Sequence, residues 1–304
     1  MAIIRYNCSI PVREIGAAIL FVALCVSAFE TFGQTSSVIT YKVSGSQRIY
    51  AFVSGANGHL YSNHWNGSMW QWTDRGVPAG ATVHPNLPGV VTYPKRGGRE
   101  IYVFVRGNDD HLYLKHWNGS QWKWIHQGTP PGTTMIYSPA VITFLDTVAD
   151  ERRIYAFVRG ADFHLYLNYW NGSQWKWVDR GTPPSTIVFG NAPPSVISYP
   201  VRGKQKIYAF VRGATGGLYI NHWTGWQWKW IAQGTPQGTT VESTLPGAIT
   251  YRESNTQSIY SFVTGENGHL LMNYLSGSQW KWADHGTPEG TKVFEKAKLT
   301  PLPT

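Results

Sequence analysis

Cysteine is almost absent from this sequence. Its two cysteines, Cys8 and Cys25, both lie in the first 33 residues. If this segment is removed, the remaining chain has no thiol. A disulfide framework, a thiol nucleophile and a cysteine-ligated metal site are therefore excluded from the rest of the chain.

Acidic residues are also scarce, with 17 Asp and Glu against 26 Lys and Arg, for a net charge of +9. Such a charge favours anionic partners. The basic residues are nevertheless scattered along the chain without a run or an arm. Binding of single-stranded nucleic acid needs a basic groove beside stacking aromatics, so the pattern predicts no nucleic-acid partner.

The usual signatures of an enzyme are missing. The sequence has no phosphate-binding glycine loop, nucleotide fingerprint or nucleophile elbow. Glycosidases with a propeller fold need carboxylates that converge from their innermost strands. The segments of this chain that would form such strands carry only Asp146 and Glu253, both at their trailing ends. We therefore predict that the protein is not an enzyme, and a glycosidase-type propeller is the least favoured alternative.

No metal or cofactor is predicted either. His59 and His64 are five residues apart on a presumed strand, as are His111 and His116. An odd separation sends two side chains to opposite faces of a sheet, so neither pair can chelate a metal ion.

The amino terminus has the layout of a secretory signal. Arg5 and Arg13 precede an apolar stretch over residues 15–29, which is short for a membrane span. We predict a signal peptide over residues 1–33, cleaved after Ala28 or Gly33. The mature protein is then expected to be secreted and not to insert into a membrane.

A tryptophan-rich phrase occurs five times in the rest of the chain. The glycine of its turn recurs with spacings of 52, 53, 53 and 52 residues, at Gly67, Gly119, Gly172, Gly225 and Gly277. A constant period of this size indicates an array of identical units. We predict one domain over residues 34–304, with repeats at about 38–89, 90–140, 141–195, 196–247 and 248–304.

Each repeat is predicted to form four short antiparallel strands. In the second repeat they are expected at residues 90–93, 101–106, 111–117 and 122–127, where β-branched and aromatic residues alternate with turn residues. Four strands per repeat of about fifty residues is typical of a propeller blade. The fold class is therefore all-β, a five-bladed β-propeller closed into a ring.

The Asn-Gly pairs are predicted to form type I′ hairpin turns, because both residues tolerate positive φ. Asn66, Asn118 and Asn171 also begin Asn-Gly-Ser acceptor sequences for glycosylation. The turn is the favoured interpretation, since the fourth and fifth repeats keep the glycine and lose the acceptor.

One face of the predicted propeller collects arginine, histidine and tryptophan side chains. An aromatic ring flanked by fixed hydrogen-bond donors suits a sugar ring. Packing between blades is the alternative for the tryptophans. The candidate carbohydrate-binding residues are Arg106, Arg159, Arg212, His59, His111, His164, His269, Trp72, Trp124, Trp177, Trp230 and Trp282.

Residues 154–183, IYAFVRGADFHLYLNYWNGSQWKWVDRGTP, resemble the repeat of the PLL-type bacterial β-propeller lectins. That resemblance covers all five repeats, and it implies a secreted protein that binds fucose or related sugars in pockets between blades. A ring of five repeats is similar to the tachylectin-type lectins instead, which bind N-acetylated sugars. Both sugar classes stay open.

The favoured function is thus a multivalent lectin, because several weak sites on one rigid body gain avidity on a glycan surface. The sites are expected to be unequal, since Ser54, Thr264 and Gly217 replace the arginine or histidine in some repeats. A propeller that binds proteins and has no sugar site is the alternative. Assembly into a homo-oligomer is left open.

Overall fold

The computed structural model describes residues 37–95, 98–146, 149–190, 192–242, 246–253 and 256–293. The chain divides into two compact units, Met1–Glu30 and Thr31–Thr304. The first unit, the predicted signal peptide and its cleavage sites lie outside the described residues.

The described part of the chain is all-β and forms five sheets of four antiparallel strands, which is a β-propeller fold. No helix in it has the length and apolarity to cross a membrane. Each sheet is one blade with its strands in chain order, and the blades are numbered 1 to 5. The strands are β1 (Val38–Val43), β2 (Ser46–Ser54), β3 (Leu60–Trp65), β4 (Trp70–Gly76), β5 (Gly89–Lys95), β6 (Gly98–Arg106), β7 (Leu112–Trp117), β8 (Trp122–Gly128), β9 (Met135–Asp146), β10 (Glu151–Gly160), β11 (Leu165–Trp170), β12 (Trp175–Asp179), β13 (Ser195–Val201), β14 (Lys204–Arg212), β15 (Leu218–Trp223), β16 (Trp228–Gly234), β17 (Gly247–Glu253), β18 (Thr256–Thr264), β19 (Leu270–Ser276) and β20 (Gln279–Asp284).

The second strand of each blade lies in the middle of the packing and is apolar on both faces. In β6 the six consecutive residues from Glu100 to Val105 are all buried. Because a strand alternates its side chains, burial at every position requires a neighbouring blade on each side. The first strands of successive blades also contact one another, as expected for strands at the centre of a propeller.

Four hydrophobic cores join successive blades, and all of them lie within the Thr31–Thr304 unit. Each core contains a fully buried phenylalanine of the second strand and a tryptophan of the next blade's fourth strand. The ring centroids are 5.6–6.1 Å apart in the pairs Phe52–Trp122, Phe104–Trp175, Phe157–Trp228 and Phe210–Trp280. All four cores are built from residues of this unit, so the unit is expected to fold alone.

The residues for a fifth core, between blade 5 and blade 1, are present but exposed. Trp70, the counterpart of the four packed tryptophans, is 52% exposed. On blade 5, Ile249 is 40% exposed, whereas its counterpart Ile197 is fully buried. Val293, which ends the described chain, is 38% exposed where Val241 is fully buried. The described residues thus form four of the five junctions that a closed ring contains.

The two ends of the blades differ. One end, called the linker face, carries the connections between blades and the hairpins between second and third strands. These segments bond to each other, for example from Val83 N to Gly58 O (2.8 Å) and from Asn108 N to Thr82 O (2.9 Å). The opposite end, called the turn face, carries the remaining hairpin turns of each blade.

The Asn-Gly turns are not of type I′, so that prediction is wrong. Gly119 has φ near +99°, whereas Asn118 is not among the described residues with positive φ. The Asn118 side-chain oxygen instead accepts hydrogen bonds from Ser120 N (2.9 Å) and Gln121 N (3.0 Å). The asparagine caps a four-residue turn with its side chain, and a backbone of two positive φ values is unnecessary.

Candidate functional site

An arginine stands at the linker-face end of the second strand in blades 2, 3 and 4: Arg106, Arg159 and Arg212. A glycine follows each one and leaves room for a tyrosine ring. At Gly160, an added Cβ would lie 2.7 Å from a ring carbon of Tyr166. The glycine therefore lets the tyrosine ring pack closely at the start of the hairpin. The arginine occupies the same position in each of these three blades.

Arg159 lies beneath an aromatic cluster and is only 4% exposed. Its Nη1 donates a hydrogen bond to the Gly190 carbonyl at 2.6 Å. The guanidinium carbon is 4.9 Å from the Phe163 ring centroid, 5.6 Å from that of Tyr137 and 5.9 Å from that of Phe189. Burial lowers the pKa of Arg159, but an arginine is still charged at neutral pH. The guanidinium group is therefore surrounded by three aromatic rings.

Two of these aromatic residues have strained backbones. Tyr137 has φ of 64° and Phe163 has φ of 70°, in the left-handed region that costs a side chain of this size about 1–3 kcal/mol. A register shift between Phe157 and Arg159 accompanies them. As a result β9 begins at Met135, inside the range predicted for the second repeat. Bulges and strain of this kind concentrate at functional sites.

Arg212 and Glu266 form the polar part of the same region. Arg212 Nε donates to the Val241 carbonyl at 2.6 Å, and its Nη2 lies 3.4 Å from Glu266 Oε1. The guanidinium carbon is 5.8 Å from the centroid of Phe189. Phe189 therefore lies beside two guanidinium groups, those of Arg159 and Arg212.

A shallow cleft opens on the linker face between blades 3 and 4. Phe189, Gly190, Arg212 and Pro246 are among the residues that line it. The Phe189 ring is 44% exposed and stacks on Phe163 at 6.4 Å between centroids. The cleft thus offers an exposed apolar ring and a guanidinium donor, and the Glu266 carboxylate of blade 5 lies 3.4 Å from that guanidinium. This set can bind a polyhydroxylated ring through its C–H face and its hydroxyls.

Arg106 has a more polar environment. Its Nη2 pairs with Asp110 Oδ1 at 2.5 Å, and its carbonyl accepts a hydrogen bond from His84 N at 2.9 Å. Burial and the nearby Arg106 charge lower the pKa of His84. Asp110 stands where blade 3 has Phe163, so the two sites share the arginine and differ in the neighbouring ring.

The predicted histidines lie at the outer rim of the linker face. His59, His164 and His269 hydrogen-bond through Nδ1 to carboxylates of the outermost strands, each at 2.9 Å, and His111 pairs with His126 at 2.8 Å. The acceptors are Asp74, Asp179 and Asp284. Arg159 and Arg212 bond toward the linkers instead. The structure thus places Arg159 and His164 on one face but gives them separate partners.

Four of the five predicted tryptophan platforms lie between the blades. Trp177 Nε1 donates to the Gln127 carbonyl of the preceding blade, and its ring packs in the core between blades 2 and 3. Trp230 and Trp282 make the same bond, at 3.0 and 2.9 Å. Trp124 packs in the first core, and Trp72 is 59% exposed at the edge of blade 1. The positions of Trp124, Trp177, Trp230 and Trp282 agree with the packing alternative.

Sequence reasoning missed Tyr137, Phe163, Phe189 and Glu266. Phe163 and Glu266 lie in hairpin loops, Phe189 lies in a linker, and Tyr137 lies near the start of β9. A signal was available at Phe163, because repeats 1, 4 and 5 have glycine at this position (Gly58, Gly216 and Gly268). A large apolar residue at a left-handed loop position is unusual enough to mark a site.

No family model matches the chain, and no curated protein matches it either. The solved structures do give matches. The fungal lectin of Aleuria aurantia, described as a six-bladed β-propeller with a fucose recognition mode, matches with a TM-score of 0.54 at 16% identity. The match covers 85% of this chain and 81% of that chain.

Two further solved structures give similar matches. SapL1 lectin in complex with α-methyl fucoside has a TM-score of 0.52 at 14% identity, over 83% of this chain and 81% of that chain. A mutant of AofleA from Arthrobotrys oligospora has a TM-score of 0.56 at 14% identity, over 83% of this chain and 73% of that chain. The structural neighbours thus include fucose-binding β-propeller lectins. The Aleuria aurantia and SapL1 neighbours are lectins.

At these low identities the neighbours show the fold alone. They agree with an all-β propeller built from four-stranded blades. The Aleuria aurantia lectin has six blades, whereas the described residues here form five sheets.

Proposed function

We propose that this protein is a lectin that binds fucose or a related sugar on its linker face. The observation that carries the proposal is the cleft between blades 3 and 4. There an exposed Phe189 ring lies beside Arg212, with Glu266 at the edge. The fucose-binding lectins among the structural neighbours support the same conclusion.

In this cleft we propose that Phe189 contacts the apolar face of the sugar. Arg212 donates to sugar hydroxyls, and Glu266 accepts from them. Arg159 lies below the ring and orients it. The carboxylate and guanidinium are only 3.4 Å apart, so one pair of neighbouring hydroxyls can bridge both groups.

The other predicted sugar-binding residues lie at equivalent positions in the other blades. Arg106, with Asp110 beside it, is proposed as a second site. The AofleA mutant carries three arginine-to-alanine replacements at intervals of 53 residues, and the same interval separates Arg106, Arg159 and Arg212. This parallel supports testing the three arginines as a set. The histidines are proposed as secondary contacts at the rim.

Closure of the ring is part of the proposal. Blade 1 keeps Trp70 and Trp72, and blade 5 keeps Phe262, which are the residue types that build the other four junctions. We propose that blade 5 packs on blade 1 and buries these residues, so that five blades complete the propeller. The apolar area that is exposed at both edges supplies the driving force.

Export and multivalency are also proposed. The signal-like amino terminus and the cysteine-free remainder support a secreted protein. Sites at more than one arginine would let a single chain engage several sugars of a glycan-covered surface, with a gain in avidity of about 10²–10⁴.

A glycan array with the Thr31–Thr304 unit tests the proposed function. Fucosylated glycans are expected to bind, and free α-methyl fucoside is expected to compete. Arrays without any bound glycan, together with capture of a protein partner through the linker face, would favour the protein-binding alternative.

A further inference from the structure

Positive charge is segregated to the turn face, opposite the proposed sugar sites. Its described side chains include fourteen Lys and Arg, ten in inner turns and four in outer turns. The acidic side chains described there are Glu100, Asp146, Asp150 and Glu151. The linker face, with its hairpins, fourth-strand ends and linkers, has six basic and nine acidic side chains. The inner turns are residues 42–48, 95–100, 145–153, 200–206 and 252–258, and the outer turns are residues 65–71, 117–123, 170–176, 223–229 and 275–281.

The difference in charge between the two faces is largest in blade 4. Between Asp179 and Glu242 the sequence contains no acidic residue. The turn face of this blade carries Arg202, Lys204 and Lys206 in or beside its inner turn, and Lys229 beside its outer turn. The ion pairs of the described residues include none of these four side chains. Blade 4 therefore presents an uncompensated cationic patch.

An exposed tryptophan stands in the middle of this patch. Trp226 occupies the outer turn at a position where the other four repeats have serine, and it is 63% exposed. Lys204 Nζ lies 4.7 Å and Lys206 Nζ 5.1 Å from the centroid of its ring. Val201, beside the lysines, is 37% exposed. The patch thus combines four cations with an aromatic tip and a second apolar side chain.

We propose that this patch, Val201, Arg202, Lys204, Lys206, Trp226 and Lys229, docks the protein on an anionic lipid surface. Tryptophan favours the headgroup layer, where its ring is partly apolar and its N–H stays hydrated. Cations beside it gain from the negative potential of anionic lipids. The contact is peripheral, at the headgroups, and needs no segment that crosses the bilayer.

The lipid surface explains the patch better than a sugar does. Two lysine ammonium groups already cover the Trp226 ring, so the stacking surface that a sugar needs is occupied. A soluble polyanion would require the cations but would gain little from a hydrophobic turn tip. Only a partner with both anionic and apolar layers uses every residue of the patch.

The test is co-sedimentation of the Thr31–Thr304 unit with sugar-free vesicles. Vesicles of phosphatidylcholine alone are compared with vesicles that contain about 30% phosphatidylserine. The variants are Lys204→Gln, Trp226→Ser, and Lys292→Gln as a charge-matched control on the linker face. A thermal melt of each variant checks its fold, and α-methyl fucoside is added in excess in a parallel series.

We expect binding only to the vesicles with phosphatidylserine, and binding that weakens at high salt. Lys204→Gln should reduce partitioning roughly fivefold, the contribution of one surface cation. Trp226→Ser should reduce it roughly tenfold, because the indole no longer leaves water. Neither Lys292→Gln nor the free sugar should change the fraction of protein that binds the vesicles.

Absence of binding to phosphatidylserine vesicles would overturn the proposal. Binding that Trp226→Ser leaves unchanged would also overturn it, because charge alone would then be sufficient. Heparin binding without vesicle binding would assign the patch to a soluble polyanion instead. None of these outcomes bears on the sugar site, which the glycan array tests separately.

Discussion

The indole N–H of Trp177 donates a 2.7 Å hydrogen bond to the Gln127 carbonyl of the preceding blade. The ring also packs in the core between blades 2 and 3. The same position in blade 1 is Trp72, which is 59% exposed. This pair of counterparts therefore gives a direct test of whether the ring closes.

Trp177→Ala should lower the free energy of unfolding by about 3–5 kcal/mol, the usual loss for a large aromatic side chain in a core. If blade 5 packs on blade 1 as proposed, Trp72→Ala should cost a similar amount. Urea denaturation of both variants measures the difference. A Trp72→Ala protein as stable as the parent would show that the fifth junction stays open.

Stability should fall in mild acid because of buried histidines. The His222 ring stacks on Tyr208 at 4.1 Å between centroids, and its Nδ1 hydrogen-bonds to the Ile207 carbonyl at 2.9 Å. Burial, the largest cause, lowers the pKa of His222 from its ordinary value of 6.5. The folded state then binds fewer protons than the unfolded state.

The contribution of His222 is fully present above pH 6.5 and is lost as the pH falls toward the lower pKa of the folded state. We expect the melting temperature to drop between about pH 7 and pH 5. His222→Asn should flatten this slope in part, since burial also lowers the pKa of His64 and His116. An equally steep slope in the variant would assign the acid sensitivity to other groups.

The blades could be predicted from the sequence because their cause is local. Alternating β-branched and aromatic residues specify the strands, and a constant period specifies identical units. Trp122 and Trp124 lie in the core while Lys123 is exposed, as alternation predicts. Because the same pattern occurs in five copies, each of these signals is reinforced.

The hydrogen-bond partners of the arginines and histidines could not be predicted in the same way. Arg159 bonds to Gly190, which is 31 residues away in a linker, and nothing in the repeated phrase encodes that contact. His164 pairs with Asp179 through strand register, 15 residues away. The residues that surround the arginines differ from repeat to repeat. A comparison of the repeats finds the residues that they share, so it does not identify these.

Phe163→Gly tests whether the strained ring serves binding. Glycine is the natural residue at the same position in three other repeats, and it accepts a φ of 70° without steric cost. The variant should therefore be as stable as the parent or more stable. Loss of the ring that stacks on Phe189 should weaken fucoside binding several-fold. Melting curves and calorimetry compare the two effects, and a less stable variant with unchanged binding would make Phe163 a packing residue.

Phe189→Ala tests the proposed platform. The ring is 44% exposed, so its removal should change stability little, whereas the sugar loses its apolar contact. We expect fucoside affinity at this site to fall roughly tenfold. Phe189→Trp is the control, since a larger ring should keep or improve binding. Equal affinity for the parent and Phe189→Ala would place the platform elsewhere.

Calorimetric titration of the Thr31–Thr304 unit and its Arg212→Ala variant with α-methyl fucoside tests whether Arg212 binds the sugar. Arg252→Ala is the control, because Arg252 is exposed on the turn face. The parent and the control should bind the sugar alike. In Arg212→Ala the loss of a guanidinium hydrogen bond should weaken the site between blades 3 and 4 about ten- to hundredfold. An Arg212→Ala titration identical to that of the parent, or a parent that binds no fucoside, would contradict the account.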